Sequence, residues 1–165
     1  MHKIIPNIFT FISEFKKEEI QNLNKKIGII FRNYKKKCKK DEILKIKKFC
    51  KSNGNKFYLA NNIRLALNLN LDGVYISASN KNFEVLKYSK KKSFLTLGSA
   101  HNNNEIKTKE KQGIEVIFLS PLFKTKNYKK GLGIIKFNIL SEMTKKRVIA
   151  LGGINKKNIK KLKIT

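Results

Sequence analysis

The sequence contains few of the residues that build metal sites. Its 165 residues include two cysteines, Cys38 and Cys50, and two histidines, His2 and His101. None of them belongs to a Cys-x-x-Cys or other closely spaced pair, so the spacing argues against a zinc site. Isolated thiols fit a reducing compartment, and we therefore expect a cytoplasmic protein.

Long apolar runs are also missing. No segment approaches the roughly 18 apolar residues that a transmembrane helix needs. The amino-terminal stretch is partly apolar, but Pro6, Asn7 and Glu14 interrupt it, which makes it a poor secretory signal. We expect no membrane association.

Acidic residues are scarce. The chain contains 11 Asp and Glu residues and 38 Lys and Arg residues, which gives a net charge of +27. Such an excess makes nucleic acid a partner to consider. The lysines are spread through almost every segment, however, and the abundance of Lys, Asn and Ile is a bias of the whole chain. We therefore do not expect a nucleic-acid partner, and steep salt dependence of binding would reveal one.

Short apolar runs alternate with longer polar stretches of helical character. The runs predict strands over Ile8–Ile12, Ile27–Arg32, Lys56–Ala60, Gly73–Ser77, Ser93–Ser99, Glu115–Ser120 and Arg147–Leu151. The polar stretches predict helices over Glu18–Lys26, 41–51, Ile63–Asn70, Asn82–Tyr88, Asn104–Gln112, Leu132–Thr144 and from Asn155 onward. This alternation with short links predicts a parallel sheet built from right-handed βαβ units.

Two α/β architectures fit this pattern, a doubly wound open sheet and a TIM-type (β/α) barrel. No Gly-x-Gly-x-x-Gly follows the first strand, so the barrel is favoured over a dinucleotide-binding fold. Such barrels need about 200 residues or more. We predict that residues 1–165 form a single barrel domain that is short by the eighth strand–helix unit. A gap between the first and seventh strands, or a second copy of the chain that covers it, is expected.

The clearest candidate for ligand binding is the Gly152-Gly153 pair, which directly follows a predicted strand. Ligands of a barrel bind where the strands end. Two glycines there let the backbone approach a ligand, and N–H groups at the start of the next helix favour a phosphate. The alternative is a tight strand-to-helix turn without a ligand.

Five segments together resemble the thiamine phosphate synthase and TenI family. In chain order they are Arg32, Leu71–Ile76, Ser99–Asn102, Ser120–Lys126 and Gly152–Ile154. They match, respectively, the family's Gln-x-Arg-x-Lys, its Ala-Asp-Gly-Val-His-Leu strand, its Ser-x-His-Asn turn, its Gly-Pro-x-Phe-x-Thr segment and its late phosphate loop. The resemblance implies a phosphorylated thiazole as ligand. The residues that it assigns to substrate or phosphate binding are Arg32, Asn61, Asn80, Ser99, Thr125, Lys126, Gly152 and Gly153.

The sequence departs from the family at the expected Mg²⁺ ligands. Where the family has Asn-Asp, this chain has Ala60-Asn61, and where it has Gln-x-Asp, Asn80 takes the place of the aspartate. Mg²⁺ prefers anionic oxygen ligands, so two amides should bind it poorly, and we predict neither a metal site nor another cofactor. The family's Gly-Pro-x-Phe-x-Thr segment continues as x-Thr-Lys, and the position of that Lys is taken by Tyr128 in this chain.

His101 is the predicted catalytic residue. In the TenI branch, a His on this turn is implied to move the proton that tautomerises a thiazole carboxylate phosphate, a task that suits imidazole and needs no metal. We therefore slightly prefer this reaction to Mg²⁺-dependent thiamine phosphate synthesis. The alternatives are a non-catalytic phosphate-binding barrel, with His101 as a solvated turn residue, and a basic nucleic-acid binder. Arg32 has an alternative too, as an ordinary surface ion-pair partner, although a barrel mouth favours a bidentate anion clamp.

Overall fold

The computed structural model describes residues 5–34, 39–88, 91, 93–126, 128–155 and 157–160. His2 and Cys38 lie outside these ranges. The chain forms two compact units, one made of Met1–Ile76 and Tyr88–Thr96, the other of Ser77–Lys87 and Leu97–Thr165. The prediction of a single domain over residues 1–165 stays a prediction.

The first unit contains four parallel strands that pair in chain order. They are β1 (Ile8–Ile12), β2 (Ile27–Phe31), β3 (Phe57–Ala60) and β4 (Gly73–Ile76). Between them run the helices α1 (Lys17–Gln21), α2 (Lys40–Asn53) and α3 (Ile63–Asn68). Each strand thus lies beside its successor, as in a series of consecutive βαβ units.

The apolar runs of β2, β3 and β4 explain why these segments form strands. Nearly every residue in them is buried, including Ile29, Ile30 and Phe31 in β2, so side chains on both faces are covered. Burial on both faces is characteristic of parallel strands flanked by helices. Cys50 is buried in α2, and burial raises the pKa of its thiol to about 12, which makes it unreactive at neutral pH.

The second unit repeats the same construction. Strands β5 (Leu95–Ala100), β6 (Val116–Leu119) and β7 (Arg147–Ala150) pair in parallel and in chain order, although the first two residues of β5 belong to the first unit. Helices α4 (Asn103–Lys111) and α5 (Gly133–Glu142) follow β5 and β6, and a 3₁₀ helix spans Phe83–Tyr88.

The strand order supports the barrel prediction. In a doubly wound sheet the order reverses at a switch point, whereas a (β/α) barrel places each strand next to the one before it. Both units follow the second rule, so the fold is α/β of the TIM-barrel type. The helix predicted from Asn155 onward appears only as a turn that continues into two 3₁₀ residues at 159–160, and residues 161–165 lie outside the described part. Among the described residues, no helix is long and apolar enough to cross a bilayer.

Candidate functional site

His101 lies on the turn between β5 and α4, where a glutamate fixes its ring. Asn102 caps α4, and its side-chain oxygen accepts the N–H of Glu105 at 3.0 Å. The carboxylate of Glu105 in turn accepts the backbone N–H of His101 at 2.7 Å and contacts its Nδ1 at 2.8 Å. The two side chains are 34% and 33% exposed, so the pair is held in place but reachable from solvent.

This contact assigns the two nitrogens of the ring. A carboxylate can only accept a hydrogen bond, so Nδ1 of His101 carries the hydrogen and donates it to Glu105. In the neutral ring, Nε2 is then the nitrogen that can take a proton. Sequence reasoning missed Glu105. The Asn102-x-x-Glu105 spacing, which is that of a helix capping box, was the available signal.

The Gly152-Gly153 turn follows β7 with two left-handed residues. Their φ angles are +96° and +69°, a backbone conformation that residues other than glycine rarely adopt. A Cβ on Gly152 would lie 2.8 Å from Cα of Pro121, and one on Gly153 would lie 2.6 Å from the carbonyl oxygen of Lys124. On the Cβ side both glycines thus make room for the chain itself, which agrees with the alternative of a tight turn, and their role in ligand binding stays a prediction.

The N–H groups of the same turn remain available. Across the described ranges, the backbone N–H groups of Gly152 and Gly153 donate no hydrogen bond to another residue. Successive backbone N–H groups in such a turn form a concave anion-binding surface. The glycine carbonyls hold the turn instead, since Gly152 O accepts from the N–H of Phe123 at 3.0 Å and Gly153 O from the side-chain amide of Asn158 at 2.8 Å.

The segment Pro121–Lys124, which follows β6, is fixed from two sides. The N–H of Leu122 donates to Leu151 O at 2.7 Å, and the N–H of Leu132 donates to Pro121 O at 2.8 Å. Gly131 permits the second contact, because a Cβ there would lie 2.4 Å from the carbonyl oxygen of Leu122. The segment that leads to Thr125 is therefore tied to the glycine turn by the backbone.

Thr125 and Lys126 lie on a tight turn that Tyr128 closes. The N–H of Tyr128 donates to Oγ1 of Thr125 at 3.2 Å, and the N–H of Thr125 donates to Tyr128 O at 3.0 Å. Among the described residues, the hydroxyl of Thr125 accepts this hydrogen bond and donates none. Lys126 is exposed, and the ring centroid of Tyr128 lies 6.0 Å from that of His101. Tyr128 thus connects this turn with the proposed catalytic residue.

Ser99, which was predicted as the last residue of its strand, lies inside β5. The strand continues to Ala100, one residue beyond the predicted end, and Ser99 is 4% exposed. A Cβ on the preceding Gly98 would meet Ile114 and Lys109, so Gly98 faces the helix side. Because side chains alternate along a strand, Ser99 faces the opposite side of β5.

Arg32 follows β2 in the first unit and stacks between two aromatic rings. Its guanidinium carbon lies 4.5 Å from the ring centroid of Phe11 and 5.3 Å from that of Tyr34. Within the described residues no carboxylate forms an ion pair with Arg32, so this part of the chain gives the surface ion-pair alternative no support. Aromatic stacking orients the planar guanidinium and leaves its N–H groups for an anion.

Asn61 and Asn80 take the places at which the family resemblance expects Mg²⁺ carboxylates. Asn61 is exposed and left-handed, with a φ of 58°, and its N–H donates to Tyr75 O at 2.7 Å. The side-chain oxygen of Asn80 accepts the N–H of Asn82 at 2.9 Å. The side-chain oxygens of Asn61 and Asn80 fit Mg²⁺ poorly as ligands, because both amides are neutral and the oxygen of Asn80 already accepts a hydrogen bond within a turn.

Lys109 is a buried charged residue that sequence reasoning missed. Its ammonium donates to Ser77 O at 2.8 Å, to Asn80 O at 2.8 Å and to Oε1 of Gln112 at 2.9 Å. Its side chain is fully buried. Burial lowers the pKa of Lys109 to about 8, and the neighbouring Glu105 opposes part of that shift. The spacing in the sequence could have indicated its burial, because Lys109 lies three residues after the buried Ile106 and therefore on the same face of the helix.

The lowered pKa of Lys109 predicts how stability changes with pH. Between about pH 8 and 10.5 the unfolded chain holds a proton on this lysine that the folded protein has lost, so this group makes the free energy of unfolding rise with pH. The rise is of the order of 3 kcal/mol across the window. Urea denaturation of the wild type and Lys109→Met at several pH values should therefore give a difference that grows with pH. Parallel curves would contradict the prediction.

The structure gathers the predicted residues in two groups, one in each unit. In the second unit, His101, Thr125 and Gly152 follow β5, β6 and β7 at the same edge of three adjacent parallel strands. In the first unit, Arg32 and Asn61 follow the adjacent strands β2 and β3. Each residue thus lies at the carboxyl end of its strand, where barrels bind ligands.

Comparison with known proteins points to one family. A family model described as thiamine monophosphate synthase matches residues 18–165. Thiamine-phosphate synthase from Methanosarcina mazei is 32% identical over 134 residues, which is 76% of this chain and 55% of that protein. Thiamine-phosphate synthase from Prochlorococcus marinus subsp. pastoris is 31% identical over 142 residues, which is 83% of this chain and 40% of that protein. The chain thus spans about half the length of these curated relatives.

A solved structure supports the same fold. Thiamine phosphate pyrophosphorylase from Pyrococcus furiosus aligns with 93% of this chain and 78% of its own, with a TM-score of 0.70 and 19% sequence identity. Seven parallel strands alternating with helices, in the part of the chain that the structure describes, agree with this similarity to a TIM-type barrel.

Proposed function

Because the chain belongs to the thiamine monophosphate synthase family, we propose that it binds a thiazole phosphate and tautomerises a thiazole carboxylate phosphate without a metal. The reaction moves a proton from one substrate atom to another and leaves the phosphate ester intact. It requires an anion-binding turn and one group that exchanges protons. The observation that carries the proposal is the His101–Glu105 contact, which occupies Nδ1 and leaves Nε2 for the proton.

The phosphate would be held by the glycine turn of the second unit. The N–H groups of Gly152 and Gly153 have no partner among the described residues. Successive N–H groups of a turn can together bind an anion. The hydroxyls of Thr125 and Ser99 would add hydrogen bonds to phosphate oxygens, and Lys126 would add positive charge. Glu105 acts as a positioning residue for His101.

Arg32 is proposed as an anion clamp for a carboxylate or diphosphate. Its stacking between Phe11 and Tyr34 orients the guanidinium plane, which favours bidentate recognition. Asn61 and Asn80 are proposed as amides that bind the substrate rather than a metal. This assignment rests on their position after β3 and β4.

Mg²⁺-dependent thiamine phosphate synthesis is the second candidate. It is favoured by the relatives, which are named thiamine-phosphate synthases. The amides at Asn61 and Asn80 speak against it, because they replace the carboxylates that a hard dication prefers. The same amides also fit a barrel that binds a phosphate ligand and has lost catalysis.

Titration with thiazole phosphates, with and without Mg²⁺, tests the proposal. We expect binding and tautomerisation that do not depend on Mg²⁺. Turnover only with Mg²⁺ and a pyrimidine diphosphate would establish the synthase reaction, and binding without any turnover would establish the non-catalytic alternative. If no thiazole phosphate binds, the proposal is wrong, and steeply salt-dependent binding of nucleic acid would then favour the basic binder.

A further inference from the structure

We infer that Lys109 is a positioning residue that holds the loop after β4 in its ligand-binding conformation. This loop, residues 77–82, is called the β4 loop here. The inference rests on the proposed function, because the loop carries Asn80. Lys109 lies on α4 and reaches the loop through the carbonyl oxygens of Ser77 and Asn80, each 2.8 Å from its ammonium.

Gln112 reinforces the same attachment from the end of α4. Its side-chain amide nitrogen donates to Asn80 O at 3.0 Å and to Asn82 O at 2.8 Å, while its oxygen accepts from Lys109. Both side chains are fully buried. The carbonyl oxygens of Ser77, Asn80 and Asn82 thus accept hydrogen bonds from two side chains, those of Lys109 in α4 and of Gln112 directly after it.

Strand β5 makes room for the lysine. A Cβ on Gly98 would lie 3.1 Å from Cδ of Lys109, so the missing side chain lets the stem of the lysine pack closely against β5. The same helix carries Glu105, which contacts His101. One helix therefore supports both the catalytic histidine and the loop that bears Asn80.

The energetic cost of Lys109 indicates a role beyond packing. A buried ammonium is desolvated, which is why the pKa of Lys109 falls, and the folded protein keeps the charge at a cost in stability. An apolar side chain of similar length would fill the space without this cost. What it could not do is donate to the carbonyls of Ser77 and Asn80, which would then be left without these donors.

Lys109→Met tests the inference, because it keeps most of the stem and removes the donors. We expect amide hydrogen exchange in residues 77–88 to rise about ten-fold. The Kd for thiazole phosphate should also rise about ten-fold, while kcat at saturating substrate changes little. A higher KM with an unchanged kcat is expected when a binding loop is misplaced and His101 is intact.

Lys107→Met is the matched control. Lys107 lies on the same helix and has the same charge, but it is exposed. It should change neither exchange in the β4 loop nor ligand affinity. Gln112→Met provides an independent route to the same loop, should Lys109→Met fail to fold. It should also raise amide exchange in the β4 loop and the Kd for thiazole phosphate, because Asn80 O and Asn82 O each lose one hydrogen-bond donor.

The outcomes separate this inference from the proposed function. Unchanged exchange in the β4 loop of Lys109→Met and Gln112→Met overturns the inference alone. Faster exchange with unchanged affinity also overturns it, because the loop would then not position the ligand. If the wild type binds no thiazole phosphate, the proposed function fails, and the ligand-binding part of the inference fails with it.

Discussion

Replacing His101 with alanine is expected to slow tautomerisation of a thiazole carboxylate phosphate by about 10²–10⁴-fold, the usual contribution of a positioned proton-transfer group. Thiazole phosphate binding should stay nearly unchanged, because the glycine turn, not the histidine, holds the phosphate in the proposal. Steady-state kinetics for turnover and calorimetry for binding provide the two measurements. Adding Mg²⁺ should alter neither.

Glu105→Gln provides a graded comparison for this prediction. Glutamine is close in size to glutamate and can still cap the start of α4, but it can also present an amide N–H to the ring. Nδ1 of His101 is then no longer required to carry the hydrogen. We expect a smaller loss of turnover than in His101→Ala, with binding preserved. If activity requires Mg²⁺ and a pyrimidine diphosphate and survives in His101→Ala, the protein is a synthase and the proton-transfer mechanism is wrong.

Gly153→Val is expected to abolish thiazole phosphate binding and to destabilise the fold. A side chain at a φ of +69° is strained, and its Cβ would lie 2.6 Å from the carbonyl oxygen of Lys124. We estimate a loss of roughly 2–4 kcal/mol in the free energy of unfolding. The N–H groups of the turn would move with it, so binding should fall below detection in calorimetry even where the variant remains folded.

Gly133→Val separates conformational strain from collision. Gly133 has a similar φ of +72°, but a Cβ there would find no atom within 4 Å. The two variants therefore share the cost of a left-handed valine and differ in contact with the segment after β6. Gly133→Val should lose less stability and keep its affinity for thiazole phosphate. Equal losses in both variants would show that the packing of Gly153 is unimportant.

The fold was largely predictable because its signals are local. Short apolar runs bounded by polar helices placed the described strands within about two residues, since burial on both faces demands an apolar run. The main differences occur at element ends. Strand β5 begins at Leu95 rather than Ser93 and continues to Ala100, so Ser99 is a buried residue inside the strand rather than its last residue. The helix predicted from Asn155 is only a turn and two 3₁₀ residues up to residue 160.

The candidate site was predictable by residue type but not by role. Arg32 was predicted as the last residue of a strand and lies directly after β2, yet only the structure shows that Phe11 and Tyr34 stack on it. Gly152 and Gly153 were recognised as a turn, but the sequence did not reveal which atoms pack against them. The atoms that exclude a Cβ belong to a segment about thirty residues earlier in the chain, and no local pattern reports them.

The sequence by itself determined the alternation of strands and helices, the family and the positions of the histidine and glycine turns. These follow from periodicity, from local turn chemistry and from short motifs. Helical phase places Lys109, but not the exposed Lys107 two residues away, on the buried face of α4, and only the tertiary structure decided which acceptors the buried ammonium binds. The carbonyl oxygens that Lys109 binds lie 29 and 32 residues away, on Asn80 and Ser77. Side chains of one type acquire different roles when folding brings distant acceptors to only one of them, and that information is absent from any local stretch of sequence.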